Sequence, residues 1–96
     1  AASDVYKRQY KLWTVAKGRQ VLCVTHLPQI AAMADTEFTV EKRVENGRTY
    51  TSVLRLDEHG RRQELARLTG GSMITETTLA GAAELLRLAE QTKKGV

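Results

Sequence analysis

An apolar run that ends just before a proline places the strongest constraint on how this chain can fold. Residues 20–25 read Gln-Val-Leu-Cys-Val-Thr, a stretch of strand length that is rich in β-branched side chains. Such runs are typical of strands buried on both faces of a parallel sheet. Since Pro28 lacks a backbone N–H and fits the first turn of a helix, the strand should end near His26 and a short helix should follow. We therefore predict a central strand, with Cys23 as a buried and inert thiol.

A second strong local signal is Asn46-Gly47, which lies between two β-rich segments. Both central positions of a type I′ turn need a positive φ, and this dipeptide accepts it readily. We therefore predict an antiparallel hairpin, with Phe38 and Val40 on its first strand and residues 49–56 on its second strand.

Three further segments carry helical patterns. Residues 10–17 read as the end of an amphipathic helix, and residues 62–68 as a short helix that Gly70-Gly71 stops. Thr75 is the predicted N-cap of the last helix. The apolar face of that helix consists of Leu79, Ala82, Ala83, Leu86 and Ala89. The predicted order is a helix, a buried strand, a short helix, a β-hairpin and two C-terminal helices, which is an α/β fold.

The first nine residues read as an addition to the natural sequence. Ala-Ala-Ser-Asp-Val-Tyr-Lys-Arg-Gln matches the in-frame translation of a transposase adapter used in sequencing libraries, and it shows no helical or strand period. Such additions are set aside in fold reasoning. We therefore expect residues 1–9 to be a non-native tail and residues 10–96 to be a natural segment that is cut on its N-terminal side.

Charge and cysteine content narrow the class of function. The chain has 96 residues, a net charge of +4 at pH 7 and one cysteine, so it forms no internal disulfide. The basic residues are scattered, which is weak support for nucleic-acid binding. Two histidines and one cysteine lack the spacing of metal ligands, and we predict no metal site. No apolar run approaches the roughly 20 residues needed to cross a bilayer, so we expect no membrane partner.

The end of the predicted strand is the most informative place for chemistry. In open α/β sheets, ligands bind at the carboxyl ends of parallel strands, and His26 lies at such an end. An imidazole there can donate a hydrogen bond to a phosphate or orient an attacking water. On residue type alone, a solvated or internally satisfied loop histidine is the commoner case. The residues that follow His26 decide between these two interpretations.

Residues 25–32, Thr-His-Leu-Pro-Gln-Ile-Ala-Ala, followed by Ala34-Asp35, resemble the switch-histidine loop of ABC-type ATPases. They resemble it in the form found in the RecN family of bacterial DNA repair proteins, which are relatives of the SMC proteins. Further matches are residues 64–68 with Gly70-Gly71, and residues 74–75 leading into 79–80 and 84–86. The resemblance covers residues 10 to about 88. The chain departs from the family pattern at Thr69, where an apolar residue is expected, and at Gly81, where a polar one is expected.

The resemblance implies both a fold and a function. The chain would be the C-terminal part of an ABC/SMC-type ATPase head, a P-loop NTPase, in a protein that acts in DNA double-strand break repair and recombination. His26 would be the switch histidine, which reaches the γ-phosphate of ATP and helps to position the water. Thr25 and Gln29 would be further nucleotide-binding residues, with a helix-capping role as the alternative for Gln29. ATP and Mg2+ would bind in the full-length parent, which would act in the bacterial cytoplasm at the nucleoid.

The resemblance also implies partners and an inactive fragment. The partners would be the missing N-terminal part of the same head, a second head in a homodimer, and DNA. The 96 residues contain no G-x-x-x-x-G-K-S/T phosphate loop, and the Walker B and signature motifs are expected upstream. We therefore expect this chain alone neither to bind nor to hydrolyse ATP. With its central strand lacking neighbours, we also expect the isolated chain to be marginally stable or prone to aggregate.

Two other interpretations stay open. The chain could be a head fragment of another SMC or ABC-type ATPase with the same loop. It could also be a small basic module that binds nucleic acid or protein without catalysis, which the arginine-rich stretch 55–67 supports. In that stretch Arg61, Arg62 and Arg67 could meet phosphate, but a solvated helix face is the favoured interpretation.

Overall fold

Four helices and one two-stranded sheet make up the part of the chain that the computed structural model describes. It describes residues 2–71 and 73–94, and the side chains of residues 7–71 and 73–94. The elements are α1 (Ala2–Val15), α2 (Pro28–Ala32), β1 (Phe38–Glu45), β2 (Arg48–Arg55), α3 (Glu58–Gly70) and α4 (Glu76–Lys94). The predicted mixed α/β class is confirmed.

The predicted central strand is not formed. Residues 20–25 have no regular secondary structure, and the Leu22 and Val24 side chains are 84% and 102% exposed. A strand of a parallel sheet depends on neighbouring strands for its hydrogen bonds and on helices for its cover. The sheet in the described part of the chain pairs β1 with β2 alone, so the run has no strand to join. The prediction of a buried Cys23 is wrong for the same reason, since this thiol is exposed.

The β-hairpin is confirmed with its predicted turn. β1 and β2 pair antiparallel, with Glu45 opposite Arg48. Between them Asn46 has φ 50° and Gly47 has φ 74°, the two positive values that a type I′ turn requires. All β2 residues are exposed. The hairpin therefore contributes little to the hydrophobic core.

The core lies where α2, α3 and α4 meet. Leu65 of α3 is its one large, fully buried side chain among the described residues. The buried cluster consists of Ala31, Ala32, Met33, Leu65, Ala66, Ala82 and Ala89, with Leu79 and Leu86 packed against it. The predicted apolar face of α4 is thereby confirmed for Leu79, Ala82, Leu86 and Ala89, and Leu85 also packs against the cluster. Because most of these side chains are alanine, the short helix α2 lies close to both longer helices.

The first helix is longer than predicted at its N-terminal side. It starts at Ala2, so most of residues 1–9 are helical, although we expected no periodic structure there. Ala1 and the side chains of residues 1–6 lie outside the described part. Lengthening an existing helix fixes one residue per hydrogen bond, and Ala, Lys, Arg and Gln are good helix formers. The helix ends at Val15, ahead of the predicted Lys17, and Gly18 follows with φ 77°. The adapter origin of residues 1–9 stays a prediction.

Local caps set the ends of the last two helices. α3 begins at Glu58, ahead of the predicted Arg62, because the Asp57 carboxylate accepts a hydrogen bond from the Gly60 N–H at 2.7 Å. The helix stop at Gly71 is confirmed, with φ 74°. Thr75 is confirmed as the N-cap of α4, since its Oγ1 accepts from the Thr78 N–H at 3.2 Å.

The two departures from the family pattern are accommodated at exposed positions. Thr69 is exposed, and its Oγ1 donates to the Leu65 carbonyl oxygen at 2.9 Å. Gly81 lies inside α4, and a Cβ at that position would meet no atom within 4 Å. Neither substitution therefore disturbs the core.

Candidate functional site

The predicted switch-histidine loop is an exposed turn directly before α2. The Thr25 Oγ1 accepts a hydrogen bond from the Leu27 N–H at 3.0 Å, which closes a small turn around His26. The His26 side chain is exposed. Within the described residues, no hydrogen bond or ion pair engages its imidazole. The turn therefore presents the ring to solvent, where a ligand can reach it.

The turn passes directly into α2. Pro28 is at the first helical position, as predicted, and the Leu27 carbonyl oxygen accepts hydrogen bonds from the N–H groups of Ile30 and Ala31, both at 3.1 Å. Gln29 is exposed on this first helical turn. The structure therefore exposes His26 on the turn and Gln29 on the first turn of α2, while Thr25 is half-buried and shapes the turn.

Arg61 of α3 binds the other end of α2. Its Nη2 donates to the carbonyl oxygens of Ala34 at 2.9 Å, Ala32 at 3.3 Å and Ala31 at 3.4 Å. The last carbonyls of a helix have no partner within the helix, and a five-residue helix leaves most of its carbonyls in that state. The Arg61 side chain is 17% exposed. The solvated face that the sequence favoured for Arg61 is therefore wrong, because α3 packs this face against α2.

Glu37 orients the Arg61 guanidinium. Its Oε1 accepts from Arg61 Nε at 3.1 Å, and its side chain is 7% exposed. Burial raises the pKa of Glu37 above its usual value, Arg61 acts in the opposite direction, and the charge of Glu64 adds to the rise. Because Glu37 holds Nε, Nη2 is directed towards the carbonyl end of α2.

A second carboxylate ties the same end of α2 to α1 and α4. Asp35 Oδ1 accepts from Trp13 Nε1 at 3.1 Å and from Lys93 Nζ at 3.0 Å. Burial acts to raise the pKa of Asp35, but these two hydrogen bonds outweigh it, so its pKa lies below the usual value. The Lys17 ammonium lies 4.8 Å from the centre of the Trp13 ring. Together with Arg61 of α3, these contacts bind the segment after α2 to α1, α3 and α4.

The other arginine predictions have a different outcome. Arg67 is exposed and pairs with Glu64 on its own helix, with Nε donating to Oε2 at 3.0 Å. That is the solvated helix face that the sequence favoured. Arg62 is half-buried. Nothing in the spacing of the three arginines distinguishes Arg61 from its neighbours.

Four side chains that support the loop were not predicted from the sequence: Arg61, Glu37, Asp35 and Lys93. One signal was present: no glycine follows α2 to cap its carbonyl end, where the C-cap is Met33. Local N–H groups bind the Ile30 and Ala31 carbonyls, whereas the Ala32 and Ala34 carbonyls take donors from α3. The sequence does not say which side chains those donors come from.

Two general features of the described residues bear on the class of site. No three side chains among their His, Cys, Asp and Glu residues are grouped so as to hold a metal ion. None of the helices in this part of the chain combines the length and apolar character needed to span a membrane.

The chain is similar to several curated DNA repair proteins named RecN. It is 53% identical over 72 residues to RecN of Vibrio cholerae, an alignment that covers 75% of this chain and 13% of the relative. It is 45% identical over 83 residues to RecN of Bacillus subtilis, covering 86% of this chain and 14% of the relative. RecN of Haemophilus influenzae is 51% identical over 69 residues, which are 72% of this chain and 12% of the relative. The chain thus spans about one seventh of the length of these relatives, and no family model matches it.

Proposed function

Because the chain belongs to the RecN family of DNA repair proteins, we propose that it supplies the switch-histidine loop of an ATP-hydrolysing head that acts in double-strand break repair and recombination. The observation that carries the proposal is the exposed His26 imidazole at the tip of the Thr25 turn. Within the described residues no intramolecular partner occupies this ring. It is therefore available to a ligand that binds from outside this segment.

His26 has the chemistry that phosphoryl transfer needs at such a place. An imidazole donates a hydrogen bond from one ring nitrogen and, when neutral, accepts one at the other. It can therefore support the charge on a terminal phosphate oxygen and hold the attacking water. Catalysis of this reaction rests mainly on positioning and on electrostatic stabilisation. When bound, Mg2+ neutralises phosphate charge, and no residue of this chain is assigned to it.

Gln29 and Thr25 have supporting roles in this proposal. Gln29 is exposed on the same loop as His26, so its amide can make a polar contact with the nucleotide. Thr25 acts through its hydrogen bond to the Leu27 N–H, which sets the turn that displays His26. We assign Thr25 to shaping the loop and Gln29 to direct contact.

We propose that this segment works only within a larger head. Leu22 and Val24 are almost fully exposed in the run that was expected to be a strand. These side chains would be covered if the run joined the sheet of the same head. ATP would then lie between this head and that of a second copy. DNA would be bound by the full-length protein, at the bacterial nucleoid in the cytoplasm.

A non-catalytic basic module is less well supported. Two of the arginines on which it depends are engaged within the chain, Arg61 by Glu37 and Arg67 by Glu64. The Arg61 guanidinium, with 17% of its side chain exposed, is not free to neutralise phosphates of a nucleic acid, and Arg67 would have to give up its ion pair with Glu64 to do so.

The test uses a full-length protein. This segment replaces the matching segment of Vibrio cholerae RecN, and ATP turnover is measured for the chimera, for His26→Ala and for a control, His59→Ala. His59 is exposed at the start of α3. We expect His26→Ala to lower kcat at least about tenfold, as loss of a donor to the developing charge does elsewhere, and His59→Ala to leave it within about twofold.

Two results would contradict the proposal. One is a kcat for His26→Ala within about twofold of that of the chimera. The other is a folded chimera that hydrolyses no ATP while the natural Vibrio protein does. Circular dichroism of each protein gives the folded fraction, to which the turnover is normalised.

A further inference from the structure

Arg61 and His26 act on opposite ends of the same short helix. Arg61 binds the carbonyl end of α2, and the Thr25 turn that carries His26 continues into its N-terminal end. With a rise of 1.5 Å per residue, five helical residues span only about 7.5 Å. A displacement of one end of α2 therefore displaces the other end by nearly the same distance.

The join between the turn and α2 is stiff. The Leu27 carbonyl oxygen accepts from two N–H groups of the helix, and Pro28 fixes φ at the first helical position. The Thr25 hydroxyl oxygen accepts a hydrogen bond from the Leu27 N–H. His26 thus lies between Thr25, whose hydroxyl binds the Leu27 N–H, and Leu27, whose carbonyl binds α2.

Packing alone specifies the place of α2 poorly. The residues that it buries, Ala31 and Ala32, present only methyl groups to α3 and α4, and Met33, which follows the helix, adds one buried side chain that is flexible. Such small side chains bury area but do not interlock. The directional side-chain contacts at this end of α2 are the hydrogen bonds from Arg61, the Lys93 contact with the Ala34 carbonyl at 3.4 Å, and the Asp35 hydrogen bonds to Trp13 and Lys93. Of these, only Arg61 binds the carbonyls of α2 itself.

The guanidinium of Arg61 makes two kinds of contact at once. Nε is bound to Glu37 at 3.1 Å, and Nη2 is bound to the Ala34 carbonyl at 2.9 Å. The planar group fixes the angle between these two directions. A lysine ammonium keeps the positive charge but has a single nitrogen on a flexible stem, so it cannot reproduce both contacts with the same geometry.

We propose that Arg61 is a positioning residue for His26: by holding the carbonyl end of α2 through a guanidinium that Glu37 orients, it sets where the imidazole stands relative to the terminal phosphate of ATP. The inference rests on the proposed function of His26. Arg61 itself touches neither the nucleotide nor the water.

The test is a double-mutant cycle in the full-length chimera. Arg61→Lys and His26→Ala are made singly and together, and kcat and KM for ATP are measured per folded molecule. We expect Arg61→Lys to lower kcat about tenfold or more, because small displacements of a catalytic group are costly, with KM within about threefold. In the His26→Ala background the same change should alter kcat by less than about twofold, because the group that Arg61 positions is gone.

Arg67→Lys is the matched control. It makes the same substitution on the same helix, at a residue whose partner is Glu64 of that helix. We expect kcat to stay within about twofold in both backgrounds. Amide hydrogen exchange of residues 29–34 provides a second measurement, and it should be faster in Arg61→Lys but unchanged in Arg67→Lys.

The outcomes separate this inference from the proposed function. A kcat for Arg61→Lys within about twofold of the chimera overturns the inference, and so does an equal fold-loss with and without His26, which marks a general structural role. If His26→Ala has no effect, the proposed function fails and the inference fails with it. If Arg61→Lys does not fold, Glu37→Gln takes its place in the cycle. We expect Glu37→Gln to lower kcat at least about threefold, and this loss to disappear in the His26→Ala background. If Glu37→Gln does not lower kcat, the inference is overturned.

Discussion

Lys93 Nζ lies 3.0 Å from Asp35 Oδ1, although 58 residues separate the two in the sequence. This ion pair joins the last turn of α4 to the segment that follows α2. Trp13 Nε1 of α1 donates to the same carboxylate oxygen at 3.1 Å. One exposed carboxylate therefore connects three helices at the end of the core that supports the His26 loop.

This arrangement predicts a pH-dependent contribution to stability. The pKa of Asp35 is lower in the folded chain than its usual value, so folding favours the ionised form. Its contribution is fully present above the unfolded pKa of about 3.9 and is lost as the pH falls through the folded pKa. We expect Asp35→Asn to lower the free energy of unfolding by about 0.5 kcal/mol at pH 7, and this difference to shrink below about pH 4.

Urea unfolding at pH 7 and at pH 3, followed by circular dichroism, measures that difference. Glu41→Gln, at an exposed carboxylate on β1, is the control, and we expect it to change stability by less than about 0.5 kcal/mol at either pH. If the free energy of unfolding of Asp35→Asn differs from that of the unsubstituted chain by the same amount at both pH values, the role given to Asp35 is wrong.

The second prediction concerns the core. Leu65 is 0% exposed, whereas Leu88 is 41% exposed on α4. Leu65→Ala should cost about 2–5 kcal/mol, because it removes buried surface and leaves a cavity. A core this small supplies only about 3–5 kcal/mol, so we expect the variant to lose its cooperative urea transition. Leu88→Ala should keep that transition, and similar behaviour of the two variants would refute the assignment of Leu65 to the centre of the core.

The third prediction contrasts two glycines. Gly81 lies in the exposed interior of α4, where an added Cβ meets nothing within 4 Å, so Gly81→Ala should raise the free energy of unfolding by about 0.5–1 kcal/mol. Gly47 has φ 74° in the hairpin turn, and Gly47→Ala should lower it by about 1–2 kcal/mol. Urea midpoints of the two variants provide the measurement. Shifts of the same sign would show that one of these backbone assignments is wrong.

The fourth prediction concerns aggregation of the isolated chain. Val40 and Val53 face each other across the hairpin and are 62% and 63% exposed. Exposed apolar strands of this kind promote association, and a lysine on the apolar face opposes it. We expect Val53→Lys to reduce light scattering of concentrated protein while the free energy of unfolding stays within about 0.5 kcal/mol.

Ser52→Lys separates the effect of the face from that of net charge. Ser52 precedes Val53 on β2 and points to the opposite face of the hairpin, where its partner is Glu41. Ser52→Lys adds the same charge to the chain as Val53→Lys does. If both variants reduce scattering equally, the apolar face is not the cause of association.

Local features of the fold were predictable from residue type. Asn46-Gly47 specified its turn because both residues accept positive φ, and Thr75 specified a helix start because its hydroxyl reaches an N–H only three residues ahead. Asp57 caps α3 by the same rule, but the apolar pattern of α3 begins only after its first helical turn, so the sequence predicts a helix start at Arg62. These contacts join residues that are only a few positions apart, so the local sequence predicts them.

The strand prediction for residues 20–25 failed for the opposite reason. The composition of the run favours a buried strand, but strand formation requires a hydrogen-bonding partner. The described sheet provides none. Composition alone could not reveal whether a partner is there.

The sequence by itself determined the hairpin turn, the caps of the last helices, the apolar face of α4 and the motif around His26. Only the tertiary structure decided that Arg61 binds the carbonyl end of α2 and that Glu37 is its buried partner, 24 residues away. The physical reason is the range of the interactions. Turns and caps are settled by φ preferences and hydrogen bonds between near neighbours, whereas the partners of a side chain across the core depend on how the helices pack.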